Sequence, residues 1–318
     1  HIMVTRYYHH ISNRISNRIS KRISKKINFI FLVLILVLPI SALAQEEKLN
    51  AYPALWLVEK ENSKTYFLGS VHLLPPTAKW YGGVVKNAFM DTDEVVFEVN
   101  MTAEKQREAG IISRDHGLLG ADDNLHNYLN DKDYALLGEH ARGFGIPPVA
   151  LERLKPWLVS ITLSISAVLK EGWDQNSGVD KYIQTLAAAR GLKISELETI
   201  DVQMASLWDH SLEIQTQMLI DTLKEISDIS NLTLAMVNSW ANGDTDKMEE
   251  VFLKPMMAQE EIFDALVRKR NNEWIPVIEG LIAKKQTTFI VAGTAHFIGD
   301  EGVINLLKAK GYNVKRIQ

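Results

Sequence analysis

Two short motifs of the form Gly-x-x-His carry residues that are suited to chemistry. Gly69 and His72 belong to the first motif, and Gly293 and His296 belong to the second. Each motif follows an apolar run, KTYFL in the first case and TTFIVA in the second. These runs predict that each histidine lies just beyond the end of a β-strand. A third apolar run, EVVFEV, contains Glu98 near its carboxyl end.

The three side chains of His72, Glu98 and His296 are ligands that divalent metal ions accept. Two imidazoles and one carboxylate, with other positions open to water, suit Mn²⁺, Zn²⁺, Fe²⁺ or Co²⁺. Such an ion lowers the pKa of bound water and polarises a carbonyl group, which is the chemistry of amide or ester hydrolysis. A single Gly-x-x-His is a weak signal, but two copies in the same strand context, with an acid on another strand, favour a site. The glycines, which lack Cβ, allow a sharp turn off the strand and a close approach to a ligand.

The sequence around the first motif predicts strands and a helix that would position it. Leu55–Glu59 and Lys64–Leu68 predict a β-hairpin, because two β-rich runs flank a polar turn. Apolar residues at helical spacing in Gly83–Met90 then precede the strand Glu94–Val99. A strand–helix–strand unit normally places its two strands parallel in one sheet, with a right-handed crossover. Glu98 is therefore expected at the sheet edge that carries His72.

The rest of the chain completes an α/β fold. Residues 102–186 and 202–248 are mostly helical in pattern, and further strands are predicted at Lys193–Leu197, Thr287–Ala292 and Asn313–Ile317. No linker rich in Pro, Gly or Ser divides the sequence after residue 45. We therefore expect one α/β domain over residues 45–318, with a mixed central sheet of about six strands, flanking helices and a large helical insertion in the middle.

The first 44 residues have the pattern of a signal peptide. A basic segment from Arg6 to Lys26 precedes the apolar run Asn28–Ile40, and Ser-Ala-Leu-Ala then suits cleavage after Ala44. The alternative is an uncleaved anchor, but the run is shorter than the roughly 20 apolar residues that span a bilayer, and Pro39 interrupts it. We predict export to the periplasm or the medium, with no stable membrane span after cleavage.

Charge and composition exclude several functional classes. Seven of the 35 Lys and Arg residues lie before Gln45 and none of the 39 acidic residues does, so the remaining chain has 28 basic and 39 acidic residues and a formal charge of −11. This charge argues against nucleic acid as a partner. The chain has no cysteine, which excludes thiol catalysis, thiolate metal sites and lipid attachment. A metal ion would need His, Asp, Glu or water as ligands.

Several segments together resemble the TraB/PrgY/GumN family, which is similar to the Tiki metalloproteases. The segments are YFLGSVHLLP, VVFEVN, GVDKYIQTLAAARGLKISELET, RNNEW and FIVAGTAHFIGDEGVINLLKAKGYNVKRI. The resemblance covers essentially all of residues 50–318. The resemblance implies that the two Gly-x-x-His motifs and Glu98 form the family's signature, and it implies catalytic roles for Glu98, Glu198, Arg270 and Asn271.

The roles of these additional residues remain open at the level of sequence. Glu198 is interpreted as a further ligand, a general base or a group that orients a histidine, or else as a surface acid at a strand end. Arg270 either clamps a substrate carboxylate or pairs with a neighbouring acid on a solvated face.

The resemblance to Tiki proteins implies an exported metal-dependent peptidase with a peptide or protein substrate. One alternative is a non-catalytic protein that binds peptides, as in pheromone shutdown, which needs no metal. Another is an accessory protein of exopolysaccharide production, although the sequence has no paired-carboxylate glycosidase signature.

Overall fold

A computed structural model describes residues 50–318 of the chain. The predicted signal peptide, residues 1–44, lies outside the described residues. The described part contains a six-stranded mixed sheet with the order β4-β3-β5-β2-β1-β6. The strands are β1 (Leu55–Lys60), β2 (Ser63–Ser70), β3 (Glu94–Phe97), β4 (Lys193–Glu196), β5 (Thr287–Gly293) and β6 (Val314–Arg316). The predicted α/β class with about six strands is confirmed.

Helices surround the sheet and fill most of the chain between β3 and β5. They are α1 (Gly83–Met90), α2 (Ala103–Gly117), α3 (Asp131–Gly143), α4 (Pro156–Lys170), α5 (Val179–Ala189), α6 (Ile200–Trp208), α7 (Leu212–Glu225), α8 (Ile229–Ala241), α9 (Thr245–Met248), α10 (Lys254–Met257), α11 (Glu260–Phe263), α12 (Lys269–Ile282) and α13 (Val303–Ala309). The long region between β4 and β5 packs on other helices as well as on the sheet. Its helix α7 packs on α4, where Ser160 and Thr222 share a buried hydrogen bond of 2.5 Å. Its helix α8 reaches β2, where Trp240 donates to the Gly69 carbonyl at 2.9 Å.

The strands that carry the Gly-x-x-His motifs are parallel neighbours at the centre of the sheet. β2 pairs with β5 in a register that places Gly69 beside Ala292 and Ser70 beside Gly293. β3 lies parallel on the other side of β5. The apolar residues of β2 and β5 are buried on both faces of the sheet, as expected for central parallel strands. The predicted parallel arrangement of β2 and β3 is therefore present, but β5 lies between them.

Glu94, the first residue of β3, anchors the opposite edge of the sheet. Its buried carboxylate accepts hydrogen bonds from Ser195 at 2.5 Å and Gln286 at 2.6 Å, and Lys193 and Lys284 lie 3.0 and 3.3 Å away. Burial alone would raise the pKa of this carboxyl, but these donors and cations outweigh it and hold the pKa at about 2. Glu94 thus ties β3, β4 and the start of β5 together.

Helix α12 brings Arg270 and Asn271 under the carboxyl ends of the strands. Pro276 predicts a kink or a fresh helix start, yet α12 begins at Lys269 and continues through Pro276 to Ile282. The prediction that a new helix starts at Pro276 is therefore wrong. A π-helical turn, Asp264–Arg268, precedes α12 directly. Such turns occur frequently at functional sites.

Candidate active site

The carboxyl ends of β2, β5 and β3 bring His72, Glu98 and His296 to one place. The backbone N–H of Gly293 donates to Glu98 Oε1 at 2.7 Å. A Cβ atom added at Gly293 would lie 3.3 Å from Glu98 Oε1, 3.8 Å from His72 Nε2 and 3.8 Å from His296 Cδ2. His296 Nε2 lies 3.9 Å from Glu98 Oε2. The second Gly-x-x-His loop is therefore the point around which the three predicted side chains converge.

The two motif glycines permit close packing, and neither supplies the sharp turn that the sequence suggested. Gly69 is still part of β2, and a Cβ atom there would lie 2.7 Å from Thr294 Oγ1. Thr294 instead donates to the Ser70 carbonyl at 3.0 Å and joins the two loops. Gly293 has φ −50 and ψ 133, a conformation that other residues also adopt. The close approach at both positions is to protein side chains, and the predicted approach to a ligand stays a prediction.

His72 is held by a carboxylate that the sequence analysis did not assign. Its Nδ1 lies 2.7 Å from Asp180 Oδ2, and Ser70 Oγ donates to Asp180 Oδ1 at 3.0 Å. The side chains of His72 and Asp180 are 22% and 26% exposed. Burial lowers the pKa of His72, but the carboxylates of Asp180 and Glu98 outweigh it and raise the pKa to about 9.

His296 is buried, and a neutral amide holds its Nδ1. Its Nδ1 lies 2.6 Å from Asn271 Oδ1, and Asn271 Nδ2 donates to the carbonyls of His296 at 3.2 Å and Glu301 at 2.8 Å. The Trp274 ring lies against the imidazole, with centroids 4.4 Å apart. Burial and the nearby Arg270 guanidinium lower the pKa of His296 to about 3, so this imidazole is neutral near pH 7.

Arg270 connects the two buried glutamates. Its Nε and Nη2 donate to Glu198 in a fork, with Nη2 2.5 Å from Oε1. Nη2 also donates to Glu98 Oε2 at 2.6 Å, and Nη1 donates to the Leu266 carbonyl at 3.0 Å. The side chains of Arg270, Glu98 and Glu198 are 3%, 6% and 4% exposed. Arg270 therefore does not lie on a solvated face, and its donors are taken up by the protein.

The pKa values of Glu98 and Glu198 are shifted in opposite directions. Burial alone would raise the pKa of Glu98, but His296, Arg270 and His72, together with the Gly293 N–H, hold it at about 2. Burial raises the pKa of Glu198, and the Arg270 guanidinium offsets this effect only in part. Glu198 also accepts a hydrogen bond from Trp274 Nε1 at 2.9 Å. It is thus a buried group that orients Arg270, and the interpretation as a surface acid is wrong.

The fit of a metal ion to the predicted ligands depends on Arg270. The donor types suit a divalent ion, and in both histidines Nδ1 is engaged by an acceptor, which leaves Nε2 as the ligand atom. Arg270 Nη1, however, lies 3.1 Å from His296 Nε2, and Nη2 binds Glu98 Oε2. Within residues 50–318, no group of three or more His, Asp or Glu side chains is arranged closely enough to hold a metal ion. His72, Glu98 and His296 therefore match a divalent ion in donor type, but within residues 50–318 their spacing does not form a metal site, and Arg270 occupies two of the ligand atoms.

Two residues near the site carry no assignment from sequence. Asp180 lies in the GVDKYIQ segment. The rule that ligating histidines usually donate to a carboxylate could have indicated an acid of this kind. Gln203 of α6 donates to Glu98 Oε2 at 3.2 Å, whereas its own Oε1 is buried and has no hydrogen-bond partner within the described part of the chain. No local pattern marked Gln203, because only the tertiary fold brings α6 to β3.

Comparisons with known proteins give one match. No curated protein and no solved structure matches the chain. Among residues 50–318, no helix is both long enough and apolar enough to cross a membrane. The sequence model of the TraB/PrgY/gumN family matches residues 54–316, from the start of the β-hairpin to the last strand. The chain therefore belongs to the TraB/PrgY/gumN family.

Proposed function

We propose that this protein is a metal-dependent hydrolase, specifically a peptidase, whose site is the edge formed by His72, Glu98 and His296. The observation that carries the proposal is the position of His72 Nε2 and Glu98 Oε1, which both lie beside Gly293. The Nδ1 atoms of both histidines are held by acceptors. His72 is protonated near pH 7 because its pKa is about 9. Once metal binding displaces the Nε2 proton, this nitrogen and the ionised carboxylate that faces it are suited to hold a cation and its bound water.

A divalent ion held by His72, Glu98 and His296 would supply Lewis acidity toward a carbonyl group and a lowered pKa of bound water. The protein residues contribute orientation and charge. Asp180 and Asn271 fix the two imidazole rings, and Glu98 stays ionised because its pKa is about 2.

Exposure indicates from which side a substrate approaches. The side chains of His72 and Asp180 are 22% and 26% exposed, whereas those of His296, Glu98 and Arg270 are at most 7% exposed. A peptide carbonyl would therefore approach from the His72 side, while the enclosed groups exclude water and strengthen electrostatic contacts. The predicted export signal supports a periplasmic or secreted peptide or protein as the substrate.

Arg270 also supports a second candidate, a peptide-binding protein without catalysis. Its guanidinium donates to Glu98, Glu198 and His296 Nε2 at the same time, so these hydrogen bonds form without a metal ion. Sequestration of a peptide would need no further group.

Metal content and peptide cleavage distinguish the two candidates. The purified protein is assayed for bound metal and for cleavage of a mixed peptide library, with and without a chelator. We expect chelator-sensitive cleavage that His72→Ala and His296→Ala abolish together with metal binding, while the exposed His126→Ala keeps both. If the two site variants retain metal and cleavage, the proposed site is wrong. If the wild type carries no metal and cleaves nothing but binds peptides, the second candidate replaces the first.

A further inference from the structure

The start of α5 is fastened to the loop that carries His72. The backbone N–H of Val179 donates at 3.1 Å to the carbonyl that precedes His72, and Leu74 and Asp174 exchange backbone hydrogen bonds of 3.4 and 3.1 Å. Gly178 lies so close to the loop that a Cβ atom there would be 2.1 Å from the His72 carbonyl oxygen. The first Gly-x-x-His loop is therefore positioned by α5 as well as by β2.

Asp180, in the first turn of α5, uses both carboxylate oxygens to hold this loop. Oδ2 contacts His72 Nδ1 at 2.7 Å, and Oδ1 accepts from Ser70 Oγ at 3.0 Å. An acid in this position is also favoured by the helix dipole. Two donors from one loop leave the carboxylate little freedom to rotate.

This contact determines which nitrogen of His72 faces the site. An ionised carboxylate can only accept hydrogen bonds, so Nδ1 carries a hydrogen in both the protonated and the neutral ring, and in the neutral ring Nε2 is the atom that can accept or ligate. Nε2 is also the atom that lies beside Gly293, where Glu98 Oε1 is found. The orientation of the ring and its tautomer therefore have the same origin.

The two histidines differ in their partners, and exposure explains the difference. Asn271, a neutral amide, is sufficient for His296 because that side chain is 7% exposed. The His72 side chain is 22% exposed, so water competes for its Nδ1. A hydrogen bond to a charged acceptor is about twice as strong as one to a neutral acceptor, which suits the more exposed position.

We infer that Asp180 is a positioning residue of the site: it fixes the ring of His72 with hydrogen on Nδ1 and directs Nε2 toward Glu98. The part of this inference that concerns metal binding rests on the proposed function. The part that concerns the Nδ1 hydrogen does not.

The first test measures the affinity for Zn²⁺ by isothermal titration. Loss of such an outer partner typically lowers metal affinity about 10–100-fold, so we expect a loss of that size for Asp180→Ala. Asp180→Asn should lose less, because its amide oxygen can still accept from Nδ1. Asp201→Ala, an exposed acid in the first turn of α6, is the matched control and should bind Zn²⁺ like the wild type. A folded Asp180→Ala protein with wild-type affinity would overturn the inference.

The second test uses proton NMR of the metal-free protein with ¹⁵N-labelled histidine. We expect a downfield, slowly exchanging Nδ1–H resonance that is absent from His72→Ala and lost in Asp180→Ala, but kept in Asp201→Ala. If the resonance is absent from the wild type, or persists in Asp180→Ala, Asp180 does not fix the ring. If the wild type shows the resonance but binds no Zn²⁺ and cleaves no peptide, the proposed function fails while the positioning role stands.

Discussion

Replacement of Arg270 by methionine is expected to destabilise the fold more than any surface substitution. Methionine keeps much of the side-chain volume but removes the guanidinium. Glu98 would keep the Gly293 and Gln203 donors and Glu198 would keep Trp274, yet two carboxylates that are 6% and 4% exposed would lose their shared cation.

The magnitude follows from the cost of leaving buried charge without a partner. Removal of one partner from a buried ion pair costs about 3–5 kcal/mol. Here one substitution removes the cation from two carboxylates. We therefore expect the free energy of unfolding to fall by an amount at the upper end of that range at neutral pH. A typical domain has about 5–15 kcal/mol of stability, so Arg270→Met should still fold but with a large part of its stability gone.

Arg268→Met is the matched control for this prediction. Arg268 lies two residues earlier, and its ion pairs with Glu260, Asp264 and Glu301 involve side chains that are 75%, 50% and 35% exposed. Exposed pairs are worth about 0–1 kcal/mol. Urea unfolding, followed by circular dichroism, gives the free energy of unfolding for each variant.

A double variant tests whether unpaired buried charge is the cause of the lost stability. Arg270→Met combined with Glu198→Gln removes one of the two unpaired charges, so it should recover part of the stability that Arg270→Met loses. The reasoning is refuted if Arg270→Met loses no more than Arg268→Met, or if the double variant is less stable than Arg270→Met alone.

Two further predictions concern the sheet edge opposite the site and the loop of His72. The folded-state pKa of Glu94 is about 2, below the ordinary value of 4.5, so its stabilisation is full above pH 4.5 and is lost as the pH falls toward 2. Glu94→Gln should therefore cost up to roughly 3 kcal/mol at pH 7, and urea unfolding at pH 7 and pH 3 should show that the difference from the wild type shrinks in acid. Gly178→Ala should destabilise the fold and weaken any Zn²⁺ binding, because its Cβ would collide with the His72 carbonyl at 2.1 Å. Gly110→Ala, which meets nothing within 4 Å in an exposed helix, should instead stabilise the protein slightly; equal effects of the two alanines would contradict the packing argument.

The sequence predicted β1, β2, β3 and β5 well because each contains a short apolar run with clear boundaries. Leu55–Lys60 and Ser63–Ser70 form the expected hairpin, and Glu94–Phe97 follows α1 as expected. The insertion of β5 between β2 and β3 was not predictable from local pattern, since β5 comes from a point in the chain about 190 residues later. This insertion places the second Gly-x-x-His loop between His72 and Glu98.

The contacts within the site were less predictable than its location. Arg270 could be read as a substrate clamp or as a surface residue, because sequence gives no measure of burial. Its position under the sheet depends on α12 and on the preceding π-helical turn, and no periodicity indicated that turn. Asp180 lies 108 residues from His72, and only the packing of α5 on the first loop reveals their contact.

The charges around the site explain why a proton on His72 and a bound cation are alternatives. The carboxylates of Glu98, Glu198 and Asp180 are balanced by one guanidinium, that of Arg270, so the formal charge is −2 when both imidazoles are neutral. Uncompensated charge in an enclosed site is costly. A proton on His72 removes one unit of this charge but occupies Nε2, whereas a divalent cation removes both units and requires the Nε2 lone pair. The raised pKa of His72, about 9, therefore reflects the same excess of negative charge that would favour a divalent ion at this edge of the sheet.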